Sequence, residues 1–401
     1  MRCSLPQGLI AVTSVAALLC VAGTAGAGGP LIVRSNGQPY VWSTAAPIQY
    51  RTDNGPLSAT VSEPQARARV NSMFGVWESV TTASINYDNA GFINPTGAFS
   101  DGDVSMIAEF DAVSAACNNA TQNPVIYDAD GSMLVALGFD ETSVIGFAGP
   151  CAISGTQIIS GSVVMNGLFQ DGSAVVQDLT ETEYDAAFVH EIGHFSGLDH
   201  SQVNVNCLNF CNNDDLTGLP TMFPFLVHQS QISLSVDDRA WISRLYPAAS
   251  FATSHGTITG RVFFSDGQSH AQLVNVIARR VDTGANEDRT IAVSNVSGYK
   301  FKIFHGNPIV APGAEPFGTE APDAIGLFEI PVPAGTYTIE VETINAEFVD
   351  GSSVGAPILI PMPGTAPPPS GPVAVAAGAT VSGNDVTLIG TPPRFDQFEG
   401  P

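Results

Sequence analysis

The sequence predicts an α+β domain followed by an all-β sandwich, and three observations carry that expectation. Up to Pro247, helical apolar periodicity alternates with short strand patterns, whereas beyond it only strand patterns remain. Gly (40) and Pro (28) are plentiful, which favours short strands and turns over long helices. The 401 residues are 44% apolar, enough length and hydrophobicity for two separate cores.

The elements follow in chain order. Residues 1–27 read as a secretory signal: Arg2 is a small positive n-region, an apolar run extends from Leu9 to Ala22, and Ala25-Gly26-Ala27 places the cut after Ala27. That run is too short to span a bilayer comfortably, and no later segment does. The segment "PIQYRTDNG" (47–55) is a first strand ending in a turn. Over 62–80, Ser62 as N-cap, the early Pro64, and Val70, Phe74 and Trp77 on one face predict a helix. Strands are expected at 103–110, 132–137 and 160–167, separated by Gly, Asp and Asn loops. A second helix covers 180–197, with a Thr180/Glu183 capping box and Gly197 at its C-terminal end. A third covers 235–247, N-capped by Ser235 and stopped by Pro247. Residues 28–247 thus form the α+β domain, and 248–256 a linker. The sandwich spans 257–392, with strands at 257–264, 273–281, 291–296, 299–304, 326–332, 336–343 and 385–390. The Pro-rich 361–372 reads as an extended surface loop, and 393–401 as a tail.

Charge excludes one class of partner. Charged residues make up only 13%, the formal net charge is −24, and the only lysines are Lys300 and Lys302. Such a surface repels phosphate backbones, so no nucleic-acid partner is expected. Once the signal leaves, Cys117, Cys151, Cys207 and Cys211 remain. Four cysteines in an exported chain favour two disulfides with three connectivities open. The preferred set is Cys117–Cys151 with Cys207–Cys211, since the second pair closes a short loop. A Cys-rich zinc site lacks the paired CxxC spacing.

The chemistry concentrates in "HEIGHFSGLDH" (190–200). His190 and His194 are four apart on the second helix, so both imidazoles reach one ion. Glu191 lies one step round the helix, near that ion without ligating it. Gly197 tolerates positive φ, so the chain can turn and return His200 to the same place. Three neutral imidazoles leave a fourth coordination position open, which separates a catalytic zinc site from a structural one.

This long signature resembles that of the metzincin zinc endopeptidases, and its surroundings resemble the matrixin branch over about residues 40–247. "TMFP" (221–224) is similar to the Met-turn, with Met222 beneath the metal. "LSVDDRAWISRLYP" (234–247) is similar to the matrixin C-terminal helix. "SGSVVMNG" (160–167) resembles the edge strand before the active-site helix. The resemblance implies a twisted mixed sheet carrying an active-site helix, and one catalytic Zn2+ on His190, His194 and His200. It implies a secreted endopeptidase that cuts peptide bonds with a zinc-bound water activated by Glu191 as general base. A protein or peptide substrate would lie along the edge strand, placed at Val163, Val164 and Met165, with Pro224 and Phe225 lining the pocket beyond the cut. A structural Ca2+ is implied for the domain as a whole. "DADG" (128–131) has calcium-like spacing, but an ordinary Asp/Gly turn is the favoured reading.

Three departures from the family stand out. The 201–221 segment is longer than the compact matrixin loop and holds Cys207 and Cys211, as a flap over the site would. No cysteine lies between Ala27 and the first strand, so cysteine-switch latency is not expected. No tyrosine closely follows Met222, so a tyrosine switch is not expected either.

The C-terminal strands resemble the carboxypeptidase regulatory-like, or transthyretin-like, sandwich, through "GTITGRV" (256–262) and "PAGTYTIEVE" (333–342). Its roles could be stabilising the protease, holding substrate, or attaching to a surface or matrix. The rival reading of the whole chain is a secreted binding or adhesion protein with an inactive metzincin-like domain. Against it, all three histidines and Glu191 are present.

Overall fold

The computed structural model describes residues 28–204, 216–284, 290–301, 317–343 and 364–390. The signal segment with its cut at Ala27, the Cys207 and Cys211 loop and the C-terminal tail lie outside them.

Six strands form the first sheet: β1 (Val41–Trp42), β2 (Ile48–Thr52), β3 (Tyr87–Phe92), β4 (Pro124–Asp128), β5 (Gly146–Ser154) and β6 (Gln157–Asn166). β2 pairs in parallel with β3 and β4, and β6 pairs in parallel with β4 and β1. β5 runs antiparallel along the other side of β6 and has no second partner among the described residues. Among the described residues, the helices that accompany the sheet are α1 (Glu63–Glu78), α2 (Ile107–Asn118), α3 (Ser132–Leu137), α4 (Glu181–Phe195) and α5 (Val236–Leu245).

α1 forms as its sequence demands. Ser62 and Gln65 make a capping box, Glu63 and Arg67 pair one turn apart at 2.9 Å, and Ala66, Val70, Met73, Phe74 and Trp77 form the buried stripe. Each large side chain in that stripe contributes about 1.5–3 kcal/mol by leaving water. Phe74 stacks on Tyr50 and meets Phe195 edge-on, which fixes α1 against both the sheet and α4.

Two expected strands are helices. Residues 103–106 are loop, and 107–118 is α2, with Phe110, Val113 and Cys117 buried. Residues 132–137 are α3, bounded by Gly131 and Gly138, both left-handed. Short apolar runs fit a buried strand or a buried helical turn equally well, and here the flanking glycines close a single helical turn. In the segment with calcium-like spacing, Asp128 makes turn contacts. Its carboxylate accepts from Met133 N (3.2 Å) and Leu134 N (2.8 Å) at the start of α3. Cys117 of α2 is disulfide-bonded to Cys151 of β5, Cα to Cα 5.6 Å.

Residues 255–390 hold two further sheets. One contains β7 (His255–Phe263), β10 (Leu327–Pro333), β13 (Thr380–Val381) and β14 (Val386–Thr387). The other has the order β12 (Val373–Val375), β11 (Gly335–Glu342), β8 (Asn275–Arg280), β9 (Ala292–Val296). Ile258, Val262, Phe328 and Ile330 of the first share a buried cluster with Val276, Ala278, Tyr337 and Ile339 of the second. The strand expected at 299–304 reduces to one bridge, Phe301 to Thr319, before the described residues end. Residues 248–254 are turns tied back to the first region by Ala248 N–H to Thr82 O (3.0 Å) and Ser250 Oγ to Thr81 O (2.8 Å). β7 begins at His255, within the span expected to be linker. His255 itself is buried and stacked on Phe251.

Candidate metal centre

α4 supplies two candidate ligands, His190 and His194, and the candidate base. Its start is fixed by the Thr180/Glu183 capping box, in which Glu183 Oε2 accepts from Thr180 N at 2.8 Å. Its middle is braced by Trp77, whose Nε1–H donates to Val189 O at 2.8 Å. Its end is a Schellman turn: Gly197 N donates to His194 O, Leu198 N donates to Gly193 O, and Gly197 sits at φ +87. Trp42 Nε1–H and Tyr246 O–H take the last carbonyls, Phe195 O and Ser196 O, at 2.8 and 2.6 Å. The turn brings His200 back beside the helix. The 28–31 segment runs antiparallel to it, with Leu31 N donating to Gly197 O, Asp199 N to Gly29 O and Gly28 N to His200 O.

The three imidazoles converge. His194 Nε2 lies 3.1 Å from His190 Nε2 and 3.1 Å from His200 Nε2. His190 Nδ1 lies 2.8 Å from Thr221 O, and His194 Nδ1 lies 2.9 Å from Leu198 O. A carbonyl only accepts, so both Nδ1 atoms carry the proton and both Nε2 atoms present bare lone pairs to each other. Bare lone pairs at that distance repel unless a cation stands between them. Ligand nitrogens at about 2.0–2.1 Å from a tetrahedral ion stand about 3.3 Å apart, close to the separations seen. The residues therefore fit a zinc ion. Burial holds His190 below its ordinary pKa and, with His190 adjacent, pushes His194 down to about 3, so both stay neutral and able to ligate.

Glu191 is 7% exposed, and its Oε2 has no hydrogen-bond partner among the described residues. Burial pushes its pKa up to about 8. A Cβ placed on Gly146, the first residue of β5, would lie 3.2 Å from Glu191 Cγ, so the antiparallel edge strand starts against the candidate base.

Met222 lies beneath the helix, and Gly193 is the reason it fits. A Cβ at 193 would stand 2.1 Å from Met222 Sδ and 2.8 Å from Trp77 Cζ2. Sequence reasoning missed what holds this turn. Asp238 of α5 accepts from Thr221 N (2.8 Å) and Met222 N (3.0 Å) while also serving as N3 of the Ser235 capping box. Thr221 O in turn orients His190, so one carboxylate links α5 to a ligand. The adjacent acids Asp237 and Asp238 in the first helical turn were the available signal.

One expectation about the cleft is overturned. Val163, Val164 and Met165 lie in β6, which is paired on both sides, with β4 and with β5, and they are at most 1% exposed. They cannot offer a free edge, and the edge strand is β5. Pro224 is half-buried and Phe225 is 44% exposed, on a loop whose backbone is held by Gln231 through Pro220 O, Phe225 O and Val227 N.

Comparison with known families gives one match: the model of the matrixin peptidases covers residues 41–247, just over half of the chain. No curated protein matches it.

Proposed function

The chain belongs to the matrixin family, and from that premise we propose that it is a secreted, zinc-dependent endopeptidase. The observation that carries this reading is the convergence of three imidazole Nε2 atoms beside a buried, unpartnered carboxylate. His190, His194 and His200 would hold the ion, which when bound supplies a Lewis acid and makes a water acidic near neutral pH. Glu191 Oε2 takes a proton from the attacking water and later delivers it to the leaving amide nitrogen. Its buried site raises its proton affinity toward neutrality, where a carboxylate can both accept and return a proton. Thr221 O and Leu198 O keep His190 and His194 in the Nδ1–H tautomer.

An extended peptide would add to the free side of β5, replacing the 161–166 strand as the substrate platform. The backbone of β5 then supplies sequence-independent hydrogen bonds, and Phe225 borders the far side. Secretion is supported by the sequence pattern of residues 1–27 (Arg2, the apolar run and Ala25-Gly26-Ala27), and no described helix is long and apolar enough to cross a membrane. An appended sandwich is supported by the two C-terminal sheets among the described residues and their shared buried cluster. The inactive-domain reading is not favoured, because the three histidines converge and Glu191 is retained beside them.

The test pairs metal content with one variant. Purified mature protein should bind about one zinc per chain and cleave an unfolded protein in a chelator-sensitive way. Glu191→Ala should keep the zinc and lose about 10²–10⁴-fold in kcat. Absence of zinc after supplementation would sink the reading, and undiminished cleavage by the variant would assign the base elsewhere.

A further inference from the structure

His190 and His194 are placed by the regular geometry of α4, but His200 stands on a loop, and a loop must be held by something else. Downstream of His200, Ser201 N donates to Met222 O at 2.7 Å, and the next three residues lie against β8. Asn275, Ile277 and Arg279 alternate along that strand and so share one face. Asn275 Nδ2 donates to Gln202 O at 2.8 Å. Ile277 clusters with Val203 and Ala292. Arg279 Nη1 donates to Asn204 Oδ1 at 2.9 Å, while its Nε pairs with Glu340 Oε2 at 2.9 Å across to β11. Three successive residues of the ligand loop thus meet three alternate residues of one strand. The loop's contact residues Gln202, Val203 and Asn204 are at most 3% exposed, and Asn204 sits at φ +61, in the left-handed region that asparagine tolerates better than most residues. The opposite face of β8, Val276 and Ala278, belongs to the core between the two C-terminal sheets.

We propose that β8 is a positioning element of the metal centre: Asn275, through the Gln202 carbonyl, and Arg279, through the Asn204 side chain, hold the 202–204 segment so that His200 completes the three-histidine site. The C-terminal region is then a wall of that site, and its role there is to set ligand geometry. The proposal rests on the zinc reading above, but its central claim, that β8 orders the ligand loop, can be measured without metal.

The experiment uses the full chain with Asn275→Ala and Arg279→Ala combined, and Arg279→Lys as a milder variant. Ile330→Ala, in the other C-terminal sheet and buried away from the loop, serves as a control for general destabilisation. Three readouts apply: zinc affinity by chelator competition, the visible spectrum of the cobalt-substituted protein, and amide exchange over 198–204. The double variant should lose about tenfold or more in zinc affinity, as loss of groups that orient ligands does elsewhere. It should also alter the cobalt spectrum and exchange faster at 198–204, with Arg279→Lys intermediate. Ile330→Ala should lower thermal stability and leave affinity and spectrum unchanged. Wild-type affinity, spectrum and exchange in the double variant would overturn the proposal, as would equal losses in Ile330→Ala. If the wild type binds no zinc, the functional reading fails, and exchange over 198–204 in metal-free protein still decides the positioning claim.

Discussion

Two edge strands of this molecule meet opposite fates. β5 borders the first sheet, is mostly half-buried, and keeps one side unpaired among the described residues. β9 borders a C-terminal sheet, yet all five of its residues are buried. The difference is α5. Ser294 of β9 donates its N–H to Asp237 Oδ1 at 2.7 Å, and its carbonyl accepts from Trp241 Nε1–H at 2.9 Å. An unpaired strand edge is a template for another chain, so proteins either close it or use it. Here the closed edge joins the two regions of the chain, and the open one starts against Glu191, where a peptide could add.

The largest break of this contrast comes from the disulfide. Cys117–Cys151 ties the open strand to α2 and closes a loop with a sequence separation of 34. Replacing both by serine should cost about 3–4 kcal/mol, seen in chemical unfolding, and amide exchange should rise in β5 before it rises in β9. Equal loosening of both strands would mean the bond acts on the whole fold. Trp241→Phe attacks the closed edge. It keeps most of the packing but leaves the buried Ser294 carbonyl without its donor, a loss of about 1–3 kcal/mol. The variant should separate the two regions more easily, measurable as limited proteolysis near 248–256, while β5 stays protected.

The smallest effect is a pH dependence. Burial, with Asp238 beside it, pushes Asp237 up to about 8 from an ordinary 3.8. A carboxyl raised in the folded state stabilises fully below its unfolded pKa, and that contribution is lost as pH rises through the folded value. The wild type should therefore lose stability between about pH 4 and pH 8 more steeply than Asp237→Asn. Zinc-saturated samples followed by thermal unfolding would show it, and parallel slopes would mean Asp237 is ionised throughout.

Much of the site was legible because its logic is local. Helix spacing sets His190 and His194 on one face, the glycine at 197 is needed for a left-handed turn, and Thr180 with Glu183 announces the helix start. α2 and α3 were misread because a short apolar run satisfies helix and strand alike, and β1, β3, β4 and β5 passed unnoticed for want of strong alternation. The cleft was misplaced for another reason. Whether a strand is an edge depends on its neighbours, and β6 gains β5 from a segment the pattern did not reveal.

The sequence by itself determined the chemistry: three histidines and a glutamate at a spacing that only a helix followed by a sharp turn can gather. It also determined the change of character after Pro247. Tertiary structure alone decided which strand edge stays open among the described residues, that Asp238 carries the turn at Thr221 and Met222, and what covers β8. Asn275 and Arg279 alternate with apolar residues as a solvent-facing side would, yet that face is buried against the loop after His200. Alternation reports that a strand has two different faces. It does not report what lies against each, because that partner comes from a segment more than seventy residues away in the chain.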